Sequence, residues 1–338
     1  MMKYVRLGKT GVLVSAIALG TMTFGERNTW KLGGVPVEEA SKMIGLAYDA
    51  GVNLFDTADV YDGGRAEEIL GESVRHFRNE VLIATKVRGK TGSGINDQGL
   101  SRYHIKRAIM ESLRRLGTDR IDLYQFHGWD VITPVEESAG AMQSLIEENL
   151  VVYPGLSNFS AWQIATLQSL AMARGYAPYV SAQMNYSLLN RDIEHEVLPY
   201  LNYAQMSLLV WSPLQGGLLS GKYTDLNSPP RGTRLGDTGR VFPYFEKEQY
   251  PSILEKINSI ARDHGATAAQ VSIAWLLSKG SIVIIGARTK EQLEENLNAL
   301  NVSLKPSQIK ELDEVSAQRI MYPNWMIENQ NNDRKLVV

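Results

Sequence analysis

Short apolar runs, each closing on polar or small residues, recur along the chain, and helical periodicity follows nearly every one. Eight runs read as strands: VSAIALG from Val14, NLFDTAD from Asn53, VLIATK from Val81, IDLYQFH from Ile121, VVYPGLSN from Val151, VSAQMN from Val180, SLLVWSP from Ser207 and SIVIIGA from Ser281. Between them lie segments with one apolar face. SRYHIKRAIMESLRRLG from Ser101 opens on a serine cap and stops at Gly117, as a helix should. Others run near Val37 to Ala50, Ala66 to Arg75, Pro134 to Asn149, Ala161 to Gly175, Glu194 to Ala204, Ala268 to Lys279 and Lys290 to Ala299.

Strands that alternate with helices imply a parallel sheet, and eight such units suit a closed (β/α)₈ TIM barrel. The alternative, a doubly wound open sheet, would carry in a dinucleotide-binding unit a Gly-x-Gly-x-x-Gly turn after its opening strand, and AIALGTMTFG lacks one. Two features sit outside the repeat. KYVRLGKTGVLVS reads as a β-hairpin turning at Gly8 to Gly11, a cap on the barrel floor, and residues Leu214 to Pro251 read as an insertion after the seventh strand. No composition shift marks a boundary, so the expectation is one barrel domain over residues 1–338, closed by a C-terminal tail.

Composition narrows the function. With 338 residues, 44% hydrophobic and 21% charged, the chain can bury a large core. A net charge of -2 with scattered Lys and Arg argues against nucleic acid. No apolar run approaches the roughly 18 residues of a membrane span, and the N-terminus lacks a signal-peptide core. The absence of cysteine excludes disulfides, thiolate catalysis and Cys-ligated zinc. A soluble, cytoplasmic protein is expected.

In a barrel the active site lies where strands end. Asp56 ends the second strand, Lys86 the third, His127 the fourth, Ser157 and Asn158 the fifth, Gln183 and Asn185 the sixth. A carboxylate after an apolar run needs a partner, and Lys86 on the neighbouring strand is the expected cation. An ammonium there would stabilise a phenolate and so lower the pKa of Tyr61, preparing it as an acid, with His127 helping to polarise a carbonyl oxygen. Taken singly, Asp56 and Lys86 also fit a structural ion pair, His127 a satisfied core histidine and Tyr61 a packing side chain. The four together, on three adjacent strands, favour catalysis.

Other motifs fail. GGLLSGKY has P-loop spacing, but Tyr223 stands where a Mg-binding hydroxyl is needed. HEVLP from His195 ends in Pro199 where a zincin has its second histidine, and His76, His104, His127, His195 and His264 show no metal spacing. Trp30, Trp129 and Trp211 fall in or beside strand-end loops, where pocket walls would be; Trp162 and Trp275 fall within helices.

In order along the chain, LGTMTFG, FDTADVYDGGRAEEILG, IATKVRG, IDLYQFHGWD, GLSNFS, WSPLQGGLLSGKY and IIGARTKEQLEENL resemble the aldo-keto reductases over nearly the whole sequence. The resemblance implies a (β/α)₈ barrel that reduces an aldehyde or ketone with NADPH, reversibly and without metal, hydride coming from the nicotinamide and the proton from Tyr61. The family's catalytic tetrad falls on Asp56, Tyr61, Lys86 and His127. Its cofactor contacts fall on Gly20, Thr21, Met22 and Asp56, on Ser157, Asn158 and Gln183 for the carboxamide, and on Trp211 for stacking. Ser212, Leu214, Gly216 and Lys222 correspond to the pyrophosphate loop, and Gly286, Arg288, Gln292, Glu295 and Asn296 to the adenosine and its 2′-phosphate. An arginine at 288 favours NADPH.

The sequence departs from the family at Tyr153-Pro154-Gly155, where a proline removes a ladder donor beside Ser157 and Asn158. The long loop RGKTGSGINDQGLS after Lys86 reads as a lid or as a surface loop. Phe24, Trp30 and Trp129 point to an apolar or ring-bearing carbonyl substrate, and Tyr322 and Trp325 of the tail are expected to close the pocket. Two other functions remain open at this stage: a barrel lyase working through a Lys86 Schiff base, which a charged lysine disfavours, and a non-catalytic NADPH-binding regulator.

Overall fold

The computed structural model describes residues 1–26, 34–223, 225–239 and 245–332. Its strands are β1 (Tyr4–Arg6), β2 (Leu13–Ser15), β3 (Ile17–Gly20), β4 (Leu54–Asp56), β5 (Leu82–Val87), β6 (Ile121–Phe126), β7 (Val151–Ser157), β8 (Ser181–Asn185), β9 (Ser207–Trp211) and β10 (Ile282–Ile285). The last eight form a closed parallel barrel in the order β3 to β10, with β10 returning to pair with β3. All eight expected runs supply its strands. The first divides: Leu13–Ser15 pairs antiparallel with Tyr4–Arg6, and only Ile17–Gly20 enters the barrel.

The hairpin formed by β1 and β2 sits on the barrel floor. Gly8, at φ 55°, donates its N–H to the Ser207 hydroxyl at 2.7 Å, and a Cβ there would lie 2.4 Å from the Val180 carbonyl oxygen. Only glycine permits both that conformation and that approach.

Strand parity fills the interior. Side chains alternate between the lumen and the surrounding helices. Leu54, Ala84, Leu123 and Leu209 cluster with Ala18, Ile282 and Ile284 and with Leu7 and Val14 of the floor. Their outward neighbours, Phe55, Ile83, Tyr124 and Val210, join the larger core beneath the helices. One step of two further along each strand comes the next inward layer, and it is polar: Asp56, Lys86, Gln125, Ser157 and Gln183. An apolar lower layer thus supports a polar upper one.

The helices follow the sequence signals closely. Arg102–Leu116 starts with the Ser101 hydroxyl accepting from the His104 N–H and ends at Gly117 in the left-handed region. Additional helices run over Tyr250–His264, Pro306–Val315 and Asn324–Gln330, and a short one over Arg234–Thr238 lies within the insertion after β9. Pro154 leaves β7 unbroken. Its carbonyl accepts from the Val180 N–H at 3.0 Å, so the absent donor faces β8 below the point where that ladder begins, at Gly155 opposite Ser181. Among the described residues, no helix is long and apolar enough to cross a membrane.

Candidate active site

Neighbouring strands bring Asp56, Lys86 and the segment after Phe126 to one end of the barrel through the registers Asp56 opposite Ala84 and Val87 opposite Phe126. Lys86 is fully buried, and its Nζ donates to Asp56 Oδ1 at 2.5 Å, to the Thr57 carbonyl at 2.8 Å and to the Tyr61 hydroxyl at 3.1 Å. The expected cation for Asp56 is therefore present, held by three acceptors, and one of them is the phenol. The other carboxylate oxygen, Oδ2, accepts from Gln183 Nε2 at 2.7 Å and Gln125 Nε2 at 3.2 Å. Each oxygen of Asp56 has its own donors, so the carboxylate is locked. Gln125 was not singled out from the sequence; its signal is its inward parity, two residues before His127.

Tyr61 begins the turn Tyr61–Gly64, whose Asp62 and Gly63 have positive φ, and the helix Arg65–Val74 follows. That helix is pinned from behind the sheet. Glu67, fully buried, accepts from the Thr85 hydroxyl at 2.6 Å and pairs with Arg115 at 2.7 Å. The His127 ring meets the Tyr61 ring edge-on, with centroids 5.9 Å apart.

Burial governs the ionisation of these groups. Burial works against charge on Lys86, but the Asp56 carboxylate and the Tyr61 oxygen outweigh it and raise its pKa, so it is charged. Burial raises Tyr61 and the Lys86 ammonium pulls it down without prevailing. This corrects the expectation of a lowered tyrosine: here the phenol holds its proton. His127 is lowered to about 3 by burial, with Lys86 and Arg88 adding to the effect, and is a neutral imidazole. The site thus combines a retained acid proton, a fixed ammonium beside it and a neutral ring.

A second group of residues continues along the rim. Asn158, at φ 58°, donates Nδ2 to the His127 carbonyl and to Ser157 Oγ, and accepts from Trp211 Nε1 at 3.0 Å. Gly20 lies opposite Asp56, and the Thr21 N–H donates to the Asp56 carbonyl, with half-buried Met22 next. Gln183 engages Asp56 and the Gln125 side chain. After β9, Ser212 Oγ accepts from the Gly216 N–H, and Leu214 accepts from Gly217. Lys222 Nζ lies 3.1 Å from where a Cβ on Gly217 would stand. After β10, Gln292 Oε1 accepts from the Arg288 N–H, Asn296 Nδ2 donates to the Gly286 carbonyl, and the Glu295 carbonyl accepts from Gln270. Lys222 and Arg288 form no ion pair among the described residues; Arg288 acts as a like charge on both Lys222 and Arg234, and Arg234 on Lys222. Arg234 had not been recognised in the sequence because the insertion carrying it shows no periodic signal.

Phe24 is buried, and Trp129 packs edge-on to Phe159 and Trp162 at 5.6 and 5.4 Å. Trp30, the third expected wall residue, lies outside the described residues. Tyr322 is exposed and tilts against Trp325, while Asn324 ties the tail to the His195 carbonyl at 2.8 Å. The loop after Lys86 folds around Asp97, which accepts from the Gly94 N–H and pairs with Arg107. Among the described residues no group of His, Cys, Asp and Glu is arranged to hold a metal ion.

The Aldo/keto reductase family model matches residues 16–317. Versiconal hemiacetal acetate reductase of Aspergillus parasiticus is 33% identical over 95% of this chain and 99% of its own. The uncharacterized oxidoreductase YrpG of Bacillus subtilis is 36% identical over 93% and 96%, and a probable voltage-gated potassium channel subunit beta of Oryza sativa is 36% identical over 89% and 92%. Proteins of this family act on small carbonyl compounds with nicotinamide cofactors. With the match spanning the barrel and its polar mouth, the chain belongs to the aldo/keto reductase family and is an oxidoreductase.

Proposed function

We propose that this protein reduces an aldehyde or ketone to the alcohol with NADPH, with Tyr61 as the proton donor. The observation that carries the reading is the triple contact of Lys86 Nζ with Asp56, the Thr57 carbonyl and the Tyr61 hydroxyl in a buried site. A structural ion pair needs no phenol within hydrogen-bond reach of its cation.

The chemistry follows from those positions. When bound, NADPH supplies the hydride to the carbonyl carbon. Tyr61 gives its proton to the carbonyl oxygen, and Lys86 stabilises the phenolate left behind. Asp56, clamped by Gln125 and Gln183, keeps Lys86 charged and in place. Neutral His127 supplies one ring N–H for the carbonyl oxygen and, being uncharged, does not compete with Tyr61 as a proton source. In the reverse direction the same groups accept the proton of an alcohol. A charged, triply bonded Lys86 is a poor nucleophile, which disfavours the Schiff-base lyase.

The charges on the rim support a phosphorylated cofactor. Lys222, Arg234 and Arg288 bring three positive charges together, and Lys222 is pulled down by burial and by the two arginines. Such mutual repulsion is relieved by a polyanion. Gly286 offers open space where a Cβ would stand. In this reading Lys222 takes the pyrophosphate, Arg288 and Arg234 the 2′-phosphate, and Ser157, Asn158 and Trp211 the nicotinamide end.

The test compares wild type with Tyr61→Phe, following nicotinamide absorbance with a panel of aldehydes, ketones, quinones and keto-sugars and measuring NADPH binding separately. Turnover lost while NADPH still binds supports the proposal. Equal rates in both proteins remove Tyr61 from the chemistry, and tight cofactor binding with no turnover in either would favour a regulator.

A further inference from the structure

Arg88 stands two residues beyond Lys86, just past the end of β5, and no step above uses it. Its φ of 139° is one that L side chains rarely adopt. Strain of this kind persists where surrounding contacts over-determine it, and it concentrates at functional sites. The contacts are present. The Arg88 carbonyl accepts from the Gly99 N–H at 2.9 Å, and its Nε donates to the Trp129 carbonyl at 3.1 Å. The stem lies along Gly128, where a Cβ would come within 3.5 Å of the arginine Cδ.

The side chain is thus anchored by Nε across the end of β6, beside His127. Its two Nη groups have no protein acceptor within hydrogen-bond reach among the described residues, and Arg88 is exposed and in no ion pair there. Asp130 feels the Arg88 charge, but among the described residues it forms no hydrogen bond or ion pair with it. Both oxygens of Asp130 are already engaged, by the Leu100 N–H at 2.7 Å, the Ile132 N–H at 3.0 Å and the Thr133 hydroxyl at 2.6 Å. The residue that receives the Arg88 Nε bond, Trp129, packs its ring edge-on against Phe159 and Trp162. The Arg88 charge also reaches His127, one of the groups that keep its ring neutral.

We infer that Arg88 is a specificity-determining residue that selects ring-bearing carbonyl substrates carrying a carboxylate. The ring lies along the Trp129 wall, and the carboxylate accepts from the Arg88 Nη groups while the carbonyl faces Tyr61. A fixed guanidinium with two free donors matches a carboxylate in a way that an ammonium does not. This rests on the reductase reading, and it goes beyond it in naming the substrate class.

Two aldehydes of the same shape separate charge from fit: 4-formylbenzoate and neutral 4-nitrobenzaldehyde. The quantity read is the ratio of their kcat/KM values, in which general damage to the fold cancels. In Arg88→Gln the ratio is expected to fall at least about tenfold, through KM for the anion more than kcat, with partial recovery in Arg88→Lys. In Arg88→Glu it should fall further, while an aldehyde bearing a trimethylammonium group gains. A ratio unchanged within about twofold in Arg88→Gln would reduce the residue to a tie between two loops. Calorimetric binding of 4-(hydroxymethyl)benzoate to the NADP-loaded protein is measured alongside. If wild type turns over neither aldehyde, the reductase reading fails for this class, and equal or absent binding in wild type and Arg88→Gln overturns the inference independently.

Discussion

Replacing Lys86 by methionine removes a charge that touches three acceptors and leaves a side chain of similar length in a fully buried position. The effect on chemistry can be sized from the contact with Tyr61. At 3.1 Å, and with an effective dielectric constant of about 20, an ammonium stabilises a phenolate by about 5 kcal/mol. That corresponds to about four pK units of the phenol. A transition state with the proton half transferred feels about half of it, so kcat should fall by about 10² and at most about 10⁴. Single-turnover reduction with NADPH bound in advance is the assay, and a deuterium effect from labelled nicotinamide shows that hydride transfer is being read. The substitution also deprives the Asp56 carboxylate of its cation, leaving the Gln125 and Gln183 amides, at a cost of about 3–5 kcal/mol in urea unfolding. Lys86→Met with Asp56→Asn should recover part of that stability and none of the rate. A rate within about threefold of wild type, with the deuterium effect intact, would refute the role given to Lys86.

Arg288→Ala should raise KM for NADPH about 30-fold and leave KM for NADH within about threefold, as measured by parallel titrations, because only the former carries the phosphate the guanidinium would pair. His127 is lowered to about 3 in the native state against about 6.5 unfolded, so between those pH values the unfolded chain binds the extra proton and stability falls as pH falls. His127→Gln should therefore lose stability less steeply between pH 6.5 and 3, by up to about 1.4 kcal/mol per pH unit, in urea melts across that range. Glu67→Ala breaks the buried link between the helix Arg65–Val74, Thr85 and Arg115, and should lower unfolding free energy by about 3–5 kcal/mol with an unchanged m value.

The barrel was readable because each strand is a buried apolar run, and polar residues placed two steps past its apolar positions must share the lumen. Ala16 divides the hairpin from the barrel, yet the run from Val14 shows no break, since both pieces are buried there. The helix Tyr250–His264 did carry a signal, with Ile253, Leu254, Ile257, Ile260 and Ala261 on its buried face and Gly265 as its stop. The Gly- and Pro-rich segment before it obscured its start. The contact between Asp56 and Lys86 followed from adjacent strands, but the direction of the Tyr61 shift did not. That direction depends on the competition between burial and the nearby ammonium, and burial is a property of the assembled barrel. Gln125, Arg88 and Arg234 were missed for a related reason: each matters through what it meets in space, which neither the family motifs that hold Arg88 and Gln125 nor the insertion that holds Arg234 reveals.

The upward shift of Tyr61 has a consequence for kinetic direction. In the proposed reaction, reduction draws on the protonated phenol, which predominates at neutral pH, whereas alcohol oxidation draws on the phenolate, which burial keeps scarce. The two directions should therefore have opposite pH dependences of kcat: oxidation accelerating as the medium becomes alkaline, reduction declining over the same interval. With Tyr61 as its acid, a barrel that desolvates it in this way would be a better reductase near neutrality than a dehydrogenase.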